Sequence, residues 1–222
     1  MRNSTVEKLW NVMICLGLGC LVVFFSQLFT TFLLSAYESG HSSYSGIEVV
    51  LMCFNLLFAS FIMLQLSKGL NLLALDFSFL KKKNGKIIFL SIVFMLALFV
   101  FDQLLSDRHL IAENTPASIA DNVLSSLPSI VIVLLSVVFT PIMEEVVFRG
   151  GVIGLVFKEN MLLGIGASSL IYCLINRPES LSRGVLFIGL NVILGISYVK
   201  TKRLEVPIII RIFTILFVIA VG

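Results

Sequence analysis

An all-α bundle of about seven membrane-spanning helices is what this sequence predicts, and three observations carry the prediction. The chain is 58% hydrophobic and 13% charged, whereas soluble domains run at roughly 25% charged and 45–50% apolar. Its apolar residues gather into runs near the roughly 20 residues that a helix needs to cross a bilayer. Most of its lysines and arginines fall between those runs. Together these exclude water as the solvent for most of the surface, and they leave no credible nucleic-acid role.

The candidate spans, in order, are 9–36, 47–67, 86–105, 128–157, 161–175, 184–199 and 206–221. The first follows Arg2 and Lys8, but its apolar run far exceeds the roughly 7–15 residues of a cleavable signal peptide, so it reads as a retained anchor. Basic residues accumulate on the cytoplasmic side of membrane proteins. A cytoplasmic N-terminus places Arg2, Lys8, Lys68, Lys81, Lys82, Lys83, Lys86, Lys158, Lys200, Lys202 and Arg203 inside, and only Arg108, Arg177 and Arg183 outside. The run KKKNGK therefore reads first as a basic cytoplasmic loop that fixes topology, with an anionic-lipid site as the alternative. Thr115-Pro116 reads as a helix cap followed by a first-turn proline, opening a short interfacial connector to Leu127.

No repeat or long linker interrupts the chain. Residues 1–127 read as N-terminal transmembrane helices with the polybasic loop and the connector, and 128–222 as a core packed with them in one structural unit. Trp10, Tyr37 and Tyr198 fall at span ends, where aromatic anchors are common. Cys15, Cys20, Cys53 and Cys173 lie inside apolar segments without metal-type spacing, as buried small hydrophobes do. Cys173 has no histidine placed to deprotonate it. His41 and His109 map to external loops.

The fourth span carries charge where charge is costly: TPIMEEVVFRGG. A charge at the centre of a membrane helix costs roughly 2.5–3.5 kcal/mol on translocon scales and marks a functional candidate. Glu145 and Arg149 are four residues apart, which puts them on one helix face at ion-pair distance. Glu144 points about 100° away around the axis and needs another partner. Two readings stay open at this point: an ion-paired knot that locks helices together, or a buried base, with Glu144 better suited than Glu145 to take a proton.

The motif Glu-Glu-x-x-x-Arg, with Phe148 before the arginine and Gly150 after it, resembles the CPBP family of type II CAAX prenyl endopeptidases and their bacterial relatives, some linked to bacteriocin maturation or immunity. Downstream, SSLIYCLIN and FIGLNVILGISYVKTKRLEVPIIIR resemble the family's second and third motifs, so the resemblance covers about Ser129 to Val221. It implies an intramembrane endopeptidase with Glu144 as base, Glu145 as companion acid, Arg149 as structural arginine and Tyr172 as a supporting aromatic. The family's histidines fall on Asn176 and Arg211, and its asparagine on Ile215. Asn176 can orient a water but cannot shuttle a proton near neutral pH, and it is a poor zinc ligand. Arg211 stays charged and stabilises the ionised form of any glutamate beside it, which weakens that glutamate as a base; the other role open to it is a clamp on an oxyanion. Counted at 1.5 Å per residue from the inner helix ends, Glu144 and Asn176 share a level and Arg211 looks shallower.

Three functions compete. The first is cleavage of a membrane-associated or lipidated peptide, impaired by loss of the histidines, in a cavity between the fourth, fifth and seventh spans. The second is a non-catalytic binding protein, serving in bacteriocin immunity or as a partner of a sensor kinase or transporter. The third, a transporter or channel, lacks the internal symmetry that would support it. A zinc cofactor is compatible with the resemblance but lacks its histidine ligands. The expected setting is a bacterial plasma membrane, with lipid and a membrane peptide or protein as partners.

Overall fold

The structure is a computed structural model that describes residues 4–38, 44–73, 82–106, 127–178 and 180–221. The described residues form seven helices and no strand: α1 (Ser4–Glu38), α2 (Gly46–Gly69), α3 (Lys82–Ser106), α4 (Ser129–Val156), α5 (Met161–Asn176), α6 (Leu181–Thr201) and α7 (Glu205–Val221). Five of them are long and apolar enough to cross a membrane. The 16 residues of α5 and the 17 of α7 stand at the short end of spanning length. The protein is an integral membrane helical bundle. His41, His109 and the Thr115-Pro116 connector lie outside the described residues.

Buried apolar residues form one continuous core from Leu18, Phe25 and Phe29 of α1, through Met52, Leu56 and Met63 of α2, to Met143, Val146 and Ile153 of α4. A smaller core joins Met95 of α3 to Leu194 of α6 and to Val206 and Ile210 of α7. Apolar burial gives little drive between helices in lipid, so close approach at small residues carries much of the packing. A Cβ on Gly151 would stand 2.8 Å from the Cys15 sulfur, and one on Gly195 would stand 3.0 Å from Ile165. Buried hydroxyls bond within their own helices: Ser60 donates to the Leu56 carbonyl at 2.7 Å, Ser67 to Met63 at 2.7 Å and Thr214 to Ile210 at 2.8 Å.

Three details depart from the sequence reading. Lys82 and Lys83 belong to the opening turn of α3 and not to a loop, in keeping with the good helix propensity of lysine. Tyr198 is buried and no interfacial anchor, because its hydroxyl lies where a side chain on Gly154 would otherwise go. Cys20 is exposed on the outer face of α1, and the other three cysteines are only half-buried, since the surrounding lipid accepts a small apolar side chain as readily as the core does.

The close fit at Gly154 gives a test. Gly154→Ala would drive a methyl into the Tyr198 hydroxyl, and overpacking of this kind costs typically 1–3 kcal/mol. Thermal unfolding in detergent is expected at a lower midpoint, with much of the loss recovered in Gly154→Ala/Tyr198→Phe. No recovery in the double variant would place the strain elsewhere.

The helix α4 is not a uniform α-helix. Wide π-type turns occupy Leu134–Phe139 and Val146–Val156, on either side of an α-helical segment, Thr140–Glu145. The Thr140 N–H reaches back five residues to the Leu135 carbonyl, and the Phe157 N–H does the same to Val152. Pro141 supplies a cause for the first slip, because it has no N–H to continue the ladder. The second passes through Gly150, Gly151 and Gly154, whose missing side chains accept a widened turn. Such turns appear frequently at functional sites, and here they bracket the glutamate pair.

Candidate functional site

Four successive helices build one polar centre: Glu144, Glu145 and Arg149 come from α4, Tyr172 from α5, Asn191 from α6 and Arg211 from α7. The Glu145 and Arg149 side chains are both 0% exposed, and Arg149 Nε lies 3.1 Å from Glu145 Oε2. The far end of the guanidinium is held from α6, where Arg149 Nη2 donates to Asn191 Oδ1 at 2.8 Å and to the Asn191 carbonyl at 3.2 Å. Asn191 is fixed in turn, its Nδ2 donating to the Phe187 carbonyl at 2.9 Å.

Arg211 closes the centre from α7. Its Nη2 pairs with Glu144 Oε2, its Nη1 donates to Glu145 Oε1 at 3.4 Å, and Nη2 also donates to the Tyr172 hydroxyl at 3.0 Å. The guanidinium lies over the Tyr172 ring, 5.5 Å from its centroid, a cation–π arrangement. Edge-on contacts to Phe148 at 5.3 Å and Phe187 at 5.9 Å between ring centroids hold that ring in place. Two carboxylates and two guanidiniums thus meet with their charges cancelled, the condition under which ions persist in an apolar interior.

Of the residues singled out from the sequence, Glu144, Glu145, Arg149, Tyr172 and Arg211 meet in this centre. Asn176 stands apart. It is exposed at the end of α5, and its side chain donates back to the Tyr172 carbonyl at 2.9 Å. Its apparent match in depth does not bring it to the glutamates, whereas the apparently shallow Arg211 reaches them. The depth count assumed α-helical rise throughout α4, but a π-type turn holds more residues and climbs less per residue. Glu144 therefore sits nearer the inner end of its helix than the count gave, at the level of Arg211. Asn191 is the partner that sequence reasoning missed. Its signal was a lone carboxamide in an apolar helix, at a place where the buried Arg149 still lacked a second acceptor.

A divalent cation does not fit the residues present. The carboxylate oxygens that would bind it already face Arg149 and Arg211, and among the described residues no three His, Cys, Asp or Glu side chains converge on a common point.

Fold and site define a class: a polytopic all-α membrane protein whose last four helices enclose a charge-compensated polar centre. Residues 126–217, which run from the approach to α4 through most of α7, match the family model described as Type II CAAX prenyl endopeptidase Rce1-like. This segment is similar to the family that the Glu-Glu-x-x-x-Arg motif led one to expect. Comparison with curated proteins and with solved structures gives no match.

Proposed function

We propose that this CAAX-protease-like membrane protein works by binding a membrane-associated peptide or protein, and that its glutamate pair holds the core together in place of activating water. The observation that carries this reading is the ion pair between Arg211 and Glu144. A general base must reach the proton that it abstracts, and a carboxylate paired with a guanidinium is already occupied. Neither Asn176, turned back on its own helix, nor Arg211 can relay the proton.

A second reading keeps peptide-bond hydrolysis, and one observation favours it. The Glu144 side chain is 21% exposed and that of Arg211 14%, so a substrate carbonyl entering between them would meet a carboxylate, a guanidinium and the Tyr172 hydroxyl together. In that case Arg211 acts as a clamp on the oxyanion.

Glu144→Gln separates the two. Membranes from cells carrying the wild-type or variant protein at equal abundance would be compared by labelling of newly formed peptide N-termini, and by native co-purification of bound protein. Binding without catalysis predicts the same set of N-termini and co-purification within about twofold. A cleavage product that disappears with Glu144 would overturn it in favour of the endopeptidase.

A further inference from the structure

The ends of the helices that carry Lys8, Lys158, Lys202 and Arg203 gather at one end of the bundle. Lys8 pairs with Glu159 at 2.9 Å, Lys158 pairs with Glu7, and the Lys202 ammonium lies against the Met161 sulfur. Two turns meet here on the glycines of α4. Leu72, just past α2, would be 3.1 Å from a Cβ on Gly150, and Leu204, between α6 and α7, would be 3.7 Å from it. Between these turns lies a cavity of about 170 Å³, lined by Asn71, Leu72, Leu73, Lys202, Arg203 and Glu205.

The lining is graded. Leu72 and Leu73 supply an apolar wall, and Lys202 and Arg203 supply positive charge. Arg203 Nη2 and Glu205 Oε1 are 3.4 Å apart, so among the described lining residues these two opposite charges pair and Lys202 adds a further positive charge. Its contact with the thioether of Met161 is with a weak acceptor. The backbone adds an independent observation. Lys202 caps α6 in the left-handed region, at φ 55°, a position that glycine or asparagine commonly fills and that costs other residues roughly 1–2 kcal/mol. Asn71, across the cavity at φ 57°, follows the usual preference; Lys202 does not. The left-handed cap thus holds a lysine at the rim of a partly apolar cavity.

We propose that this cavity binds a phosphate-bearing anion, with the Lys202 ammonium as its main contact and Leu72 and Leu73 against whatever the phosphate is esterified to. Basic pockets between transmembrane helices hold the headgroups of anionic lipids in this way. A free phosphate ester offers the same chemistry, and the experiment separates the two sources.

The full-length protein would be placed in nanodiscs of phosphatidylcholine alone, in nanodiscs with one third phosphatidylglycerol, and in phosphatidylcholine nanodiscs with added glycerol phosphate. Thermal unfolding and retained anionic lipid would be read in each. The wild type should unfold at a higher temperature with phosphatidylglycerol if lipid is the source, and with glycerol phosphate also if the soluble ester suffices. Lys202→Gly has an unusual signature: relief of the left-handed strain should raise its midpoint in phosphatidylcholine above that of the wild type, while its retention of anionic lipid or ester falls about fivefold. Lys202→Asn, which tolerates the same backbone, should lose retention equally, and Lys158→Gln at the same end should lose none. Equal retention by Lys202→Gly and the wild type, equal loss in Lys158→Gln, or no response of the wild type to either anion would overturn the proposal.

Discussion

Arg149→Met is expected to be the most damaging single substitution in this chain, lowering stability by about 3–5 kcal/mol, the usual cost of breaking a buried pair by removing one partner. The methionine fills much of the volume but leaves Glu145, 0% exposed, with only the 3.4 Å contact to Arg211, and it strands the Asn191 acceptors that Arg149 now satisfies. The polar centre would then carry an uncompensated negative charge. Unfolding midpoints in detergent, together with accumulation in membranes, measure the effect. The double variant Arg149→Met/Glu145→Leu should regain much of the loss, since apolar replacements of similar volume commonly match a buried ion pair. A single variant as stable as the wild type would mean that water reaches this pair.

Arg211→Met is the second large effect, expected at about 1.5–3 kcal/mol, the range for hydrogen bonds to charged groups. It removes contacts to Glu144, Glu145 and Tyr172 at once. The cost is smaller than for Arg149 because Glu144, at 21% exposure, recovers some solvation when its partner leaves. A double-mutant cycle with Glu144→Gln should give a coupling of about 1–3 kcal/mol. A cycle that closes to zero would show that the two side chains act independently, and the argument that Arg211 occupies Glu144 would fall with it.

Much of the architecture could be read from the sequence because a bilayer is a demanding solvent. Apolar runs of spanning length announce helices, and the seven expected spans correspond to the seven helices described. The Glu145 and Arg149 pair was legible for a local reason: residues four apart share a helix face whether or not the rest of the fold is known. The remainder of the centre depended on features that hydropathy does not carry. The π-type turns of α4 come from a proline and three glycines whose effect on winding is contextual, and without them the level of Glu144 is miscounted. Asn191 required knowing which face of α6 meets α4. Asn176 occupies a place in a motif, but the end of α5 turns its side chain outward, a tertiary fact invisible in the pattern.

The division of charge among the helices also bears on how the protein is made. Within α4, Arg149 pairs with Glu145 as soon as the helix exists, but Glu144 waits for Arg211, which arrives three helices later on α7. During synthesis Glu144 therefore lacks its partner while α5 and α6 emerge from the ribosome, and only the arrival of α7 supplies it. A chain arrested before that helix keeps an acid with no cation to answer it, so the last helix to be made completes the polar centre that the fourth began.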